Sequence, residues 1–366
     1  MTEREARIAF NMIPTVGAAT VDRLSRAVGG SVAEAYERYP RKQDWEGRVP
    51  DWEREIERAM KMHVEIITTC DSSYPPQLRE ISSPPLALYV VGDASALSRA
   101  GVALVGTRAA TAYGRDTAER FAFGLAKRGW AVFSGLARGI DAAAHRGALS
   151  GGGMTAGVLG GALDQFYPEQ NRALAREMID KGGCVVSEFP FGRCPDIQTF
   201  PQRNRIVSGL SRGVVAIECP LHSGTLITCT RALEQSRAVM AVPGRIDWKS
   251  SEGCLHLIRE GARMVTSVDD IVEELSPLGK TGIQPTMSME CPSSRSGKRA
   301  NCPPEAKMSI EEALVMRNIP EGGTPIDSVT RATGYGAARV NALLVGLRLK
   351  GRIRLLPGNR VALKSE

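Results

Sequence analysis

The chain has 366 residues, of which 43% are hydrophobic and 24% charged, and a formal net charge of +7. That length and apolar content suit two or three globular domains with at least one sizeable core. Its apolar runs all fall short of the roughly 18 residues of a membrane span, and the charged start MTEREARIAF has no signal-peptide core, so a cytoplasmic protein without membrane attachment is expected.

The predicted elements begin with short helices over residues 7–40. Between them Ile13-Pro14-Thr15-Val16-Gly17 reads as a turn leading into the helical pattern AATVDRLSRAVGG. An apolar-Pro-x-Val-Gly turn resembles a helix-hairpin-helix, whose glycine can offer backbone N–H groups to a phosphate; a packing module without ligand fits the same residues. This helical part is assigned to residues 1–70.

From about Gly101 short apolar runs alternate with helical stretches. VALVG (102–106), AVFSG (131–135), MTAGVLG (154–160), CVVSE (184–188), GVVAIE (213–218), AVMAVPG (238–244) and RMVTS (263–267) read as strands. Such alternation predicts a mainly parallel sheet buried on both faces, with right-handed crossovers. Residues 71–275 are therefore assigned to an α/β domain with a Rossmann-like, doubly wound sheet, and its ligand is expected at the carboxyl ends of the strands.

Residues 276–308 hold five prolines and no sustained apolar period, the composition of a flexible linker. They carry five Lys/Arg against two Asp/Glu, and residues 309–366 carry nine against five, which leaves residues 1–275 neutral. A basic tail attracts polyanions or simply keeps a protein soluble. A site in the neutral body must instead be built from locally gathered arginines. In 309–366, SIEEALVMRNI, PIDSVTRATG and YGAARVNALLVGLRLKG read as three helices and IRLLPGNRVAL as a hairpin around Pro357-Gly358-Asn359, a winged helix.

The strand ends collect glycine and arginine. Val105-Gly106-Thr107-Arg108 closes one strand, Ser134-Gly135-Leu136-Ala137-Arg138 the next, and Ser223-Gly224-Thr225 opens the helix that follows Glu218. Backbone N–H groups at such turns, and the positive end of the following helix, suit an anion, so Gly106, Ser223, Gly224 and Thr225 are candidates for phosphate turns. Phe200-Pro201-Gln202-Arg203-Asn204-Arg205 adds guanidinium forks for phosphate and an aromatic face for a base. Phe166, Tyr167, Phe189, Phe191 and Phe200 cluster between residues 166 and 200, where most fit the core of the sheet.

Other chemistries lack their residues. There is no G-x-G-x-x-G, no G-x-x-x-x-G-K-[ST] and no G-x-S-x-G. Cys70, Cys184, Cys194, Cys219, Cys229, Cys254, Cys291 and Cys302 form no C-x-x-C pair, and His63, His145, His222 and His256 no H-x-x-x-H pair, so neither metal nor cofactor is expected. Asp141 and His145 lie one helical turn apart, as an acid/base pair would, but no nucleophile accompanies them; capping and packing are the other reading.

VGTRAATAYG, SGLARGIDAAAH, VLGGALDQFYPEQNR, SEFPFG, FPQRNRIVSGLS, IECPLHSGTLIT and AVPGRID, in this order over residues 75–275, resemble the successive signature segments of the DprA (DNA-processing protein A, Smf) family. The helical start resembles that family's sterile-alpha-motif-like domain and the end its optional winged helix. Two segments depart from the family pattern: Gly253-Cys254-Leu255 stands where Gly-x-Asn is usual, and Gly160-Gly161-Ala162 where Gly-Thr-Gly is usual. The resemblance implies a non-enzymatic recombination mediator that binds single-stranded DNA, loads RecA during natural transformation and dimerises through the Rossmann-like domain. Its DNA pocket would use Arg108, Ser134, Gly135, Arg138, Arg203, Asn204 and Arg205, with Arg108 and Arg203 gripping phosphates and Phe200 supporting a base. Two rivals differ in class. A phosphoribohydrolase-like enzyme needs a glutamate close after a Gly-rich turn, where this chain has Leu226, Ile227 and Thr228. A regulator acting through the winged helix would read DNA with Arg339, Asn341, Arg348 and Lys350.

Overall fold

The structure, a computed structural model, describes residues 1–40, 42–276, 310–320, 324–335, 352–356 and 360–363, with isolated positions from 340 to 347. The chain divides into two compact units, Met1–Thr286 and Met287–Glu366.

The first unit opens with four helices, α1 (Glu3–Asn11), α2 (Ala18–Ala27), α3 (Val32–Arg38) and α4 (Trp52–Lys61). Thr2 and Glu5 form a capping box at the start of α1. Phe10 packs edge-on to Tyr36, with centroids 5.0 Å apart, at the centre of a small helical core. Ile13 and Val16 are buried in the same core, and Gly17 has an ordinary extended conformation, so the turn serves packing.

A nine-stranded sheet follows, in the order β1-β2-β6-β5-β4-β3-β7-β8-β9. Its strands are β1 (Glu65–Thr68), β2 (Ala87–Gly92), β3 (Gly101–Val105), β4 (Ala131–Ser134), β5 (Thr155–Val158), β6 (Cys184–Ser187), β7 (Gly213–Ala216), β8 (Ala238–Ala241) and β9 (Arg263–Met264). From β6 to β9 all pairings are parallel. β3 to β7 are buried along their whole length, as strands covered on both faces must be. One face carries α6 (Ala112–Lys127), α7 (Ile140–Ser150), α8 (Arg172–Asp180) and α12 (Val268–Leu275). The other carries α5 (Pro76–Arg79), α9 (Thr199–Leu210), α10 (Gly224–Glu234) and α11 (Glu252–Arg259). The doubly wound architecture read from the strand–helix alternation is therefore present.

The sheet begins earlier than residue 71. β1 pairs antiparallel with β2, and β2 antiparallel with β6, so two strands join the parallel set from the N-terminal side. Residues 65–68 follow a helix directly and are too short to show a period of their own, which hides them in the sequence. α1 is fastened to this edge. Arg4 Nη2 donates to the Ile66 carbonyl at 2.6 Å, and Asn11 Nδ2 to the Glu188 carbonyl at 2.8 Å.

In the second unit, α13 (Ile310–Arg317) and α14 (Ile326–Thr333) accompany a sheet of β10 (Thr324–Pro325), β12 (Arg360–Leu363) and β11 (Ile353–Leu356). The short β10 adds a third strand to the expected hairpin. Val315, Ile319, Val329, Leu344, Ile353 and Val361 form its core. The linker beyond Ser276, the Pro357-Gly358-Asn359 turn and Arg339, Asn341, Arg348 and Lys350 lie outside the described residues. Among the described residues no helix is long and apolar enough to cross a membrane.

Candidate nucleic-acid interface

The chain runs outward from β3 through β4, β5 and β6, then returns to place β7 on the other side of β3. This reversal opens a crevice at the strands' carboxyl ends, where a doubly wound sheet binds its ligand. A cavity of about 360 Å³ lies there, lined from Val105–Arg108, Gly135, Ala137, Phe200, Arg203, Asn204 and the 220–228 segment. A narrower cleft continues from it past Arg138, Gly160, Tyr167 and Pro168.

Arg108 is exposed, and its guanidinium carbon lies 4.6 Å from the Phe200 ring centroid. Tyr167 stands beside them, its ring 6.3 Å from that of Phe200 and 45% exposed. Gly160 makes room for this cluster, because a Cβ there would sit 2.7 Å from Phe200 Cδ1. Arg108 and the exposed Arg138 form no ion pair among the described residues. Two uncompensated guanidinium groups, the exposed Tyr167 and the half-buried Phe200 thus share one edge, a combination that suits phosphate and base together.

Arg203 is different. It is 5% exposed, and its Nη1 donates to the carbonyls of Gly135 and Val158 at the ends of β4 and β5. Burial pushes its pKa down to about 10, with Asp141 opposing the shift and Arg108 adding to it. Arg203 is therefore the floor of the crevice and of the cleft beside it, with its Nη1 committed to protein carbonyls. Gly135 must be glycine for this, since a Cβ there would collide with the Arg203 guanidinium.

Two further site residues move in the same way. Ser134 is fully buried, with its hydroxyl donating to the Leu104 carbonyl at 2.7 Å. Arg205 pairs with Glu188 and lines neither the crevice nor the cleft. It sits two residues after Arg203 on α9, and residues two apart on a helix do not share a face. Asn204 does reach the crevice, where its Nδ2 lies 3.3 Å from the Gly224 carbonyl.

The three turns are not equivalent either. Thr107 N–H donates to the Glu218 carbonyl at 2.7 Å, and Gly135 and Ala137 N–H donate to the Asp141 carboxylate at 3.1 and 3.4 Å. Those donors are spent inside the protein. Gly106 lines the crevice and packs against Ile140. At the third turn Ser223 is the N-cap of α10 but makes no side-chain cap, so the positive end of that helix, with Gly224 and Thr225, opens onto the cavity.

Asp141 and His145 are no acid/base pair. Both are buried on α7, and His145 Nδ1 lies 2.7 Å from Thr155 Oγ1. Burial first, then the charges of Arg203 and Arg146, push the imidazole down to about 3, so it stays neutral. Burial raises the Asp141 pKa while Arg203 opposes this. Glu218 is also buried, accepting from Thr111 Oγ1 at 2.6 Å and Thr111 N–H at 2.9 Å. Among the described residues, no groups cluster in a way that could hold a metal ion.

Sequence reasoning misses Tyr167, His222 and Asn171. Tyr167 and His222 line the clefts. Asn171 Nδ2 donates to the carbonyls of Leu136 and Ala137 at 2.8 and 3.0 Å, holding Leu136 at a φ of 55°, in the left-handed region. The signal for Asn171 lies in the segment FYPEQNR, whose order in the sequence does not reveal that it reaches back to the 135–138 turn.

Leu255 lines neither cavity, so the asparagine it replaces costs the crevice no wall residue.

Residues 65–276 match the family of DNA recombination-mediator protein A, and residues 299–359 match the DprA winged helix domain. The chain is 39% identical over 292 residues to protein Smf of Escherichia coli, covering 80% of this chain and 75% of that one. It is 45% identical over 204 residues to the DNA processing protein DprA of Streptococcus pneumoniae, covering 56% and 72%. The crystal structure of DprA from Streptococcus pneumoniae superposes with a TM-score of 0.62 at 33% identity, covering 75% of this chain and 98% of that one. DNA processing protein A from Helicobacter pylori, studied for its single-stranded DNA binding mode, superposes with a TM-score of 0.53 at 28% identity, covering 59% and 97%. With its sheet, winged-helix segment and signature segments all accounted for, the chain is a member of the DNA recombination-mediator protein A (DprA/Smf) family.

Proposed function

We propose that this protein binds single-stranded DNA along the carboxyl-end crevice and the adjoining cleft, without catalysing a reaction on it. The observation that carries the reading is the exposed Arg108 stacked over Phe200, with Arg138 and Tyr167 beside it and no carboxylate pairing either arginine among the described residues. Guanidinium groups and the open end of α10 would hold phosphates, and the two aromatic faces would stack bases of any identity. The single-stranded DNA binding ascribed to the Helicobacter pylori relative supports the same reading. A nucleotide hydrolase finds little here. Among the described residues lining the crevice the sole carboxylate is Asp141, which is buried and accepts from backbone N–H groups.

On this reading the protein works in the cytoplasm as a homodimer that delivers single strands to RecA during natural transformation. Pairing two crevices turns the second contact into an intramolecular one and raises avidity without new chemistry. The test has two arms. Fluorescence anisotropy with single-stranded and duplex oligonucleotides across a salt series should show preference for the single strand and a linear fall of log K with log salt. RecA-driven strand exchange on DNA coated with single-strand-binding protein should be accelerated without ATP hydrolysis by this chain. Equal affinity for the duplex would overturn the first arm, and unaltered strand exchange the second.

A further inference from the structure

The amino ends of the same sheet hold a second concentration of arginine. Residues entering β3, β7 and β8, three adjacent parallel strands, line a cavity of about 360 Å³ that shares no residue with the crevice. We propose that this cavity, between Arg99, Arg212 and Arg237, is a second anion site that takes a phosphate group.

The doubly wound fold places its ligand at the carboxyl ends, so the fold itself does not call for three arginines here. One of them has a structural task. α9 and α10 end at this pole, and arginine near a helix C-terminus stabilises the exposed carbonyls. Arg237 does this, with Nη2 3.0 Å from the Gln77 carbonyl and 3.4 Å from the Gly209 carbonyl. The same nitrogen lies 3.4 Å from Glu80, whose side chain is 68% exposed. Its Nε is buried without a partner.

Arg99 and Arg212 have no such task. Neither side chain makes a hydrogen bond or ion pair among the described residues, and the Arg212 guanidinium carbon lies 6.0 Å from the Trp130 ring centroid. Ser236, just before Arg237, has a φ of 57° because it ends α10: its N–H donates to the Leu233 carbonyl at 3.0 Å and the Arg237 N–H to the Ala232 carbonyl at 2.8 Å, which fixes where the Arg237 side chain leaves the helix end. Two surplus guanidinium groups and an anchored third line the pocket against the single carboxylate of Glu80, which leaves it net cationic. Phosphate, whether a phosphodiester of a second DNA segment or a free phosphate ester, matches it by charge and bidentate geometry.

This inference does not depend on the crevice binding DNA, and its test keeps the two apart. The full-length protein carrying Arg108→Ala, which weakens the crevice, is titrated with inorganic phosphate at constant ionic strength while its melting temperature is followed. A ligand bound to the folded state raises that temperature by linkage. The expected result is a rise that the added pair Arg99→Ala and Arg212→Ala weakens by about tenfold in phosphate concentration, and that Arg99→Glu, at an exposed position, removes. A short oligothymidylate replacing phosphate identifies the source: binding abolished by the same substitutions means a DNA backbone, while loss of the phosphate response alone means a small phosphate ester. If the melting response to both anions is the same with and without Arg99 and Arg212, the site does not exist and the arginines only neutralise helix ends.

Discussion

The Arg108 guanidinium sits 4.6 Å above the Phe200 ring, so the cation nearest the strand ends is held by an aromatic face and leaves its N–H groups for a ligand. Arg108→Ala should weaken single-strand binding and lower the salt slope by about 0.7, the change expected when one phosphate is no longer neutralised. Phe200→Ala should cost about 1–3 kcal/mol in binding by removing a stacking face, with little change in that slope. Anisotropy titrations at several salt concentrations separate the two effects, and an unchanged slope in Arg108→Ala would place the phosphate elsewhere.

Arg203 and Arg205 should behave unlike Arg108. Arg203→Met removes the donor of two carbonyls and leaves the buried Asp141 without its counter-charge, a loss of about 3–5 kcal/mol in stability. Urea unfolding measures it. Arg205→Ala breaks a pair with Glu188 outside the crevice and should leave single-strand affinity within about twofold, the effect expected when an ion pair away from the ligand is removed. A large affinity loss in folded Arg205→Ala would mean that the strand path crosses the Glu188 side of α9.

His145 gives the fold a pH dependence. Its folded pKa is pushed down to about 3 from the usual 6.5, so below pH 6.5 the unfolded chain takes up a proton that the folded one refuses. Stability should therefore fall as pH drops from 6.5 toward 3, by up to about 1.4 kcal/mol per pH unit. Asp141 acts in the opposite sense: its raised pKa lets the folded state bind a proton first, which favours folding as acid is added. Comparing the slope of unfolding free energy between pH 6 and 4 for the wild type and His145→Gln isolates the histidine. The variant should show the shallower fall.

A chain ending at Ser276 should fold and keep its single-strand affinity, because the crevice and both arginine clusters belong to the first compact unit and lie before that residue. Circular dichroism establishes folding and anisotropy the affinity. Complete loss of binding in a folded truncation would move the DNA site to the winged helix.

The sheet's parallel strands are legible in the sequence because burial on both faces leaves continuous apolar runs such as VALV and GVVA, and the carboxyl-end location of the crevice follows from that. β1 is not, since four residues after a helix carry no usable periodicity. Within the site, the sequence shows that arginine and serine gather at the strand ends but not which way each points. Arg203 and Arg205 look alike on paper, yet neighbouring helix positions turn one into the floor and the other onto Glu188. Ser134 reads as a turn residue because the strand it ends is short, and only the Leu104 carbonyl beside it shows it to be internal. The glycine turns likewise suggest free N–H groups, but Asp141, six residues past Gly135, and Glu218, far in sequence from Thr107, have already taken them.

β6 lies between a parallel neighbour, β5, and an antiparallel one, β2. All four of its residues are buried, and its row of backbone groups facing β2 is satisfied by that strand from the N-terminal part of the chain. A protein lacking its first 92 residues would thus keep every crevice residue and still expose a flat ladder edge flanked by Val185 and Val186. Such an edge recruits strands from other molecules. The N-terminal segment thereby doubles as a safeguard against self-association of a body whose crevice it does not line.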